Sequence, residues 1–269
     1  MIITQQLSVA IGKKLGVPEG TGVLMYTSPD TFSYHHEFSA SDHRKKEYRL
    51  SKGELGFKVV DLNDVRLYIV TYPSKKSKGI IGAWQNAGFG LSTRTAEYLL
   101  PYIDDLKVVD WSGDLAQLPP PTYLPENESH GKLRKRISDL MHRAPIDPTK
   151  VKVTPDDVYL YVTGMAAIYH LNKALMARHS GTVLVLGAVF HSTWHLFEES
   201  PGGLKHFGDC SASSGVLDKV EEYLEAEAKE GRKISYAFTE FPSNPILVSV
   251  DLKRLRQLVS PNSKGYRNP

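Results

Sequence analysis

A single cysteine, Cys210, stands among 269 residues, so no disulfide can close within the chain, and this usage fits a reducing compartment. No apolar run approaches the ~20 residues that a membrane span needs. The opening Met1-Ile-Ile-Thr-Gln-Gln-Leu-Ser lacks the basic-then-apolar order of a signal peptide. The cytoplasm is the expected location, with no membrane partner. Charge of one sign is also scarce: the formal balance is +3 with a pI near 8.7. The clusters Arg44-Lys45-Lys46, Lys75-Lys76 and Arg134-Lys135-Arg136 carry no interleaved aromatics and read as solvated faces, so no nucleic-acid partner is expected. A Gly-x-Ser-x-Gly elbow is absent, which removes the main signature of a serine hydrolase. His191 and His195 are four apart and His206 follows, but no carboxylate sits at a zinc-protease spacing and no second cysteine pairs with Cys210, so no metal is expected. Internal repeats and low-complexity segments are absent.

What is present is ordinary globular material, 41% hydrophobic and 23% charged, long enough for one large domain or two smaller ones. Residues 1–120 read as an N-terminal α+β region. Val23-Leu24-Met25-Tyr26 and the run from Val65 to Tyr72 read as strands, and Ile80-Ile81-Gly82-Ala83-Trp84 is a candidate short strand. Gly88-Phe-Gly-Leu-Ser-Thr-Arg-Thr-Ala-Glu-Tyr98 places two glycines before a helical pattern, but Thr93 stands where a dinucleotide loop needs its third glycine. Ser92 or Thr93 capping a helix is the plainer account. The Pro-rich Leu118-Pro-Pro-Pro-Thr-Tyr-Leu-Pro125 is an extended connector and marks the region boundary. After it, Gly131–Met141 forms an amphipathic helix with Leu133, Ile137, Leu140 and Met141 on one face.

From Val151 strands and helices alternate, the pattern of an α/β domain with a mostly parallel sheet over 121–259. Its first unit is Asp157-Val-Tyr-Leu-Tyr-Val-Thr-Gly-Met-Ala-Ala-Ile-Tyr-His170, a short strand ending near Val162, a Thr163 cap, and a helix from Met165. Free N–H groups and the positive end of the helix dipole meet at that turn, which suits a phosphate; an unliganded β–turn–α unit is the plain alternative. Thr182-Val-Leu-Val-Leu-Gly187 reads as a strand buried on both faces, Ser214–Glu227 as a helix with Val216, Val220, Tyr223 and Leu224 inward, Ile234–Thr239 as a strand, and Asp251–Leu258 as a helix. The polar stretch 260–269 is an irregular tail where another strand would ordinarily follow, so the domain reads as incomplete.

Ligands of open parallel sheets sit at the carboxyl ends of the strands. Three segments are therefore expected to converge on one crevice: Thr163-Gly164-Met165, Val189-Phe190-His191-Ser192-Thr193-Trp194, and Glu240-Phe241-Pro242-Ser243-Asn244-Pro245. The first can hold phosphate, Phe190 can cover a flat ring, and Asn244 offers an amide. Core packing for Phe190 and a plain turn at Asn244 are the alternatives.

In that order the segments resemble the fungal cystathionine gamma-synthases, pyridoxal-phosphate (PLP) enzymes of cysteine and methionine metabolism. Thr163-Gly-Met-Ala-Ala167 is similar to their Ser-Gly-Met-Ala-Ala phosphate loop. Phe190-His-Ser-Thr-Trp-His-Leu-Phe197 is similar to a Tyr-Gly-Gly-Thr-Tyr-Arg-Leu-Phe run whose first ring stacks on the cofactor. Glu240–Pro245 is similar to Glu-Thr-Pro-Ser-Asn-Pro. The likeness covers about 150–259; upstream, Trp84–Arg94 looks like the extra N-terminal region of the fungal branch. It implies an aspartate-aminotransferase-like fold with a partial parallel sheet, PLP held by Thr163, Gly164, Met165, Phe190 and Asn244, and small amino-acid substrates. It also implies a homo- or hetero-oligomer. The implied reaction is replacement at an activated homoserine by cysteine, in transsulfuration and methionine biosynthesis. The family's ring-nitrogen aspartate and its Schiff-base lysine in a Ser-x-Thr-Lys setting have no counterpart here, and Lys264 follows no strand. The expectation is a truncated, catalytically incomplete member with no catalytic residue assigned, or alternatively a non-catalytic partner of a full-length homologue.

Overall fold

The computed structural model describes residues 2–122, 126–145, 147–211 and 213–260, and they divide into two compact units at Ala167/Ile168. In the first unit four strands form an antiparallel sheet in the order β1-β3-β2-β4, with β1 at Thr21–Tyr26, β2 at Gly56–Leu62, β3 at Val65–Pro73 and β4 at Lys107–Val109. The β2–β3 hairpin turns tightly, Leu62 opposite Val65, with Asn63 in the left-handed region that asparagine tolerates best after glycine.

Central β3 shows why both faces are covered. Leu67, Ile69 and Val65 pack with Leu7 and Ile11 of α1 (Ile3–Lys14) and with Ala96 and Leu99 of α4 (Thr93–Leu99). On the other face Tyr68 meets Phe32 of α2 (Asp30–Ala40) edge-on, and Phe32 also packs against Phe57 and Trp111. Alternation of period two thus sends Val65, Leu67 and Ile69 to one face and Tyr68 to the other. The residues expected as a strand at Ile80–Trp84 belong instead to helix α3 (Ser77–Ala87), which buries Gly79, Ile80, Ala83, Asn86 and Ala87. That spacing is helical, and it outweighs the pair of adjacent isoleucines. Ser92 caps α4 by accepting from Thr95 N at 3.0 Å, as expected.

The Pro-rich connector lies along β3. Pro119 accepts from Tyr68 OH, and Arg66 donates to Pro120 O (3.0 Å) and to Thr122 Oγ1 (2.7 Å). Residues 123–125 of that connector lie outside the described residues. Helix α5 (Glu128–Met141) forms where the pattern places it, Asn127 accepting from Ser129 N at 3.0 Å. Its apolar face is not covered: Leu133, Ile137, Leu140 and Met141 are all exposed, while Ser138 is buried and donates to Val153 O.

The second unit holds a parallel sheet in the order β6-β5-β7, with β5 at Thr182–Leu186, β6 at Leu204–Phe207 and β7 at Ile234–Thr239. Val183 to Leu186 are fully buried, as a central strand covered on both faces requires. Leu184 and Leu186 pack with Val216, Val220 and Leu224 of α8 (Val216–Lys229) and Leu255 of α9 (Leu252–Leu258). Phe197 of α7 (His191–Glu198) stacks edge-on against Tyr236 and Phe238 of β7. Of the expected irregular tail, residues 261–269, Lys264 among them, lie outside the described residues.

Candidate functional site

Helix α6 runs Gly164–Arg178 and crosses the division between the units, its first four residues belonging to the first. The strand expected before it does not form. Residues 158–162 join neither sheet, and Tyr159 and Val162 are more than two-thirds exposed. Alternating apolar residues make a strand only when a neighbour accepts the ladder. The turn itself forms as expected: Thr163 Oγ1 accepts from Ala166 N at 3.0 Å, and Ala167 N reaches Thr163 O. This is an N-cap at the positive end of a four-turn helix whose first turn begins Gly164-Met165. A side chain added at Gly164 would meet nothing within 4 Å. Thr163 has a second contact that the sequence did not suggest, donating its hydroxyl to Gly88 O at 2.9 Å.

Phe190 and Asn244 belong to the second unit, at the carboxyl ends of β5 and β7. The chain leaves β5 through Gly187, whose φ of +79° suits only glycine without strain. Gly187 N donates to Phe207 O, and Gly187 O accepts from His206 Nε2 at 2.8 Å. Phe190 then starts α7 as its N-cap, ring 44% exposed and against the His191 ring at 4.7 Å. It is therefore not core. Glu240, just beyond β7, accepts from Phe190 N at 2.7 Å and ties the loop after β5 to the loop after β7. In the sequence the one signal for Glu240 is its place one residue past a strand end.

The next loop is built on Ser243, which is buried. Its N donates to Val248 O, its Oγ accepts from Val248 N at 3.1 Å, and its O accepts from Leu247 N at 2.7 Å. Asn244 stands exposed at the head of that turn. Deeper in the unit, Asn172 of α6 accepts from Tyr236 OH at 2.8 Å and donates to Ser200 Oγ at 3.1 Å, a satisfied buried polar trio. Burial pushes the Tyr236 hydroxyl well above the usual phenol range, so it stays protonated and a donor. Among the described residues no group of three His, Cys, Asp or Glu side chains could hold a metal ion.

Curated proteins similar to this chain are fungal. It is 33% identical over 204 residues, 71% of this chain and 34% of the relative, to alanine racemase ungC of Aspergillus violaceofuscus. It is 28% identical over 243 residues, 77% and 40% of the two chains, to a cystathionine gamma-synthase-like enzyme of Amanita muscaria. With the cystathionine gamma-synthase of Neurospora crassa it shares 34% over 110 residues, 38% and 17% of the two chains. No family model matches the chain, and no solved structure matches it. The relatives to which this chain is similar belong to pyridoxal-phosphate-dependent enzyme families of amino-acid chemistry. This chain belongs to the fungal cystathionine gamma-synthase-like family. The chain spans 34 to 40% of the length of the first two of these relatives.

The residues present fit the phosphate end of such a cofactor. A dianion matches a capped helix N-terminus that has space where a side chain at Gly164 would stand, and no carboxylate belongs to that turn.

Proposed function

We propose that this chain carries the phosphate- and ring-binding residues of a PLP site and acts on amino-acid substrates as cystathionine gamma-synthase-type enzymes do. In this reading Thr163, Gly164 and Met165 hold the cofactor phosphate, Phe190 stacks on its ring, and Asn244 hydrogen-bonds cofactor or substrate. The cofactor would supply an electron sink for a carbanion next to the amino acid's nitrogen. The fold is then aspartate-aminotransferase-like over 121–259, preceded by an N-terminal region, 1–120. The lone Cys210 is in keeping with a cytoplasmic setting. The reaction is gamma-replacement of an activated homoserine by cysteine, and the chain alone does not perform it, because none of its 269 residues is a lysine in a Ser-x-Thr-Lys setting. The alternative, a non-catalytic partner of a full-length homologue, rests on the same observation.

The reading is carried by the Thr163-capped start of α6, where a side chain at Gly164 would meet nothing within 4 Å, in the segment that resembles the family's phosphate loop. Gly164→Val tests it. Because a side chain there touches nothing, the variant should fold and melt like the parent. Its branched group would stand in the phosphate's approach, so affinity for pyridoxamine 5'-phosphate should fall at least tenfold. That probe has no aldehyde and cannot label surface lysines. Equal affinity in parent and variant would move the phosphate elsewhere.

A further inference from the structure

Thr163 has one hydroxyl proton and gives it to Gly88 O at 2.9 Å, while its lone pair takes Ala166 N–H at 3.0 Å. In this arrangement the hydroxyl has no proton left for a phosphate oxygen. Gly88 ends α3 in the left-handed conformation, φ +65°, and its backbone lies directly on the first turn of α6. A Cβ at Gly88 would stand 2.6 Å from Ala166 N and 2.8 Å from Met165 Cβ, and would also strike Thr163 Oγ1. The turn that follows is pinned at its far end: Leu91 N donates to Met25 O at 3.3 Å, and Gly90 lies against the Trp84 indole. Gly88 is only half-buried, so its carbonyl can turn to water when released.

We propose that the α3–α4 turn at Gly88 is a strap over the phosphate seat, competing with the ligand phosphate for the Thr163 hydroxyl. The proposal rests on Thr163–Met165 being that seat. With the strap down, phosphate meets backbone amides alone. With it lifted, Thr163 keeps its cap to Ala166 N and turns its proton to the phosphate, a charge-assisted bond stronger than the one it leaves. The residue pair Gly88–Thr163 therefore sets how tightly the N-terminal region lets the seat hold its anion.

The test uses the full chain and pyridoxamine 5'-phosphate. Gly88→Ala cannot close the strap without displacing the turn, so affinity should rise about fivefold, the equivalent of one ordinary hydrogen bond of about 1 kcal/mol no longer broken on binding. In a Thr163→Val background the same change should have no effect, since neither strap nor phosphate can then use the hydroxyl. Unchanged or weaker binding by Gly88→Ala, with the parent binding normally, overturns the strap and leaves the seat standing. A second measurement needs no variant. Saturating ligand should speed amide exchange at residues 88–91 if the strap lifts; slowed exchange there would mean that the turn closes on the ligand, and overturns the proposal. No binding by parent or variant removes the seat and the strap together.

Discussion

His35 on α2 is the residue with most to lose from acid. It is 1% exposed, its Nε2 shares a hydrogen with Tyr26 OH, and burial pushes its pKa down to about 3 from 6.5. The folded state therefore keeps the ring neutral where the unfolded chain would already be protonated. Stability from this residue is complete above pH 6.5 and is lost as the pH falls through about 3, at roughly 1.4 kcal/mol per pH unit within that window. The carboxylate Glu54 is held down to about 2 by Lys76 and by Ser51, so its own contribution is lost only below about pH 4.5. Between pH 6.5 and 4.5 His35 should cost the parent about 2 kcal/mol of unfolding free energy in urea titrations. His35→Gln, whose side chain does not titrate, should be nearly flat over the same interval. Parallel pH profiles would show that the buried ring is not the sensor.

At the scale of elements, α7 is held at its start by a carboxylate from another loop. Glu240 accepts the Phe190 amide at 2.7 Å, satisfying a donor at the positive end of the helix. Glu240→Ala should cost about 2 kcal/mol in thermal or urea unfolding and accelerate exchange of the Phe190 amide, while Glu240→Gln keeps an acceptor and should lose less. An alanine variant as protected at Phe190 as the parent would contradict this. Other elements show how far the sequence was readable. β3, β5 and β7 stand where runs of apolar and aromatic residues put them, and β3 and β5, central in their sheets, are largely buried on both faces. Edge strand β6 passed unnoticed, since Leu204-Lys205-His206-Phe207 is short and half polar. Residues 158–162 have the alternation of a strand but no ladder, a matter decided by partners and not by the segment. The α5 periodicity is plain, yet its apolar stripe stays exposed, since amphipathicity reports a face and not what covers it. Of the site, the Thr163 cap was legible from residue type and position. Gly88 was not, because a contact across 75 residues leaves no local pattern.

On the proposed reading, the molecule as a whole separates holding a cofactor from using it. In that reading the phosphate seat is made of backbone amides and, once it leaves Gly88 O, the Thr163 hydroxyl, and it needs no lysine. Turning the bound group into a catalyst requires an amine fixed at its carbonyl and a group that keeps the ring nitrogen protonated. The sequence has no lysine in a Ser-x-Thr-Lys setting, and Lys205, on edge strand β6, is spent against the Phe207 and Tyr223 rings. Purified with PLP, reduced with borohydride and mapped by peptide mass, the chain should therefore show only scattered, substoichiometric pyridoxyl groups on surface lysines. It should show no turnover of an activated homoserine with cysteine, while still binding pyridoxamine 5'-phosphate. One stoichiometrically modified lysine together with turnover would mean that the chain is a complete catalyst by a lysine its sequence does not advertise. Retained binding with scattered labelling would assign it the cofactor-holding role alone.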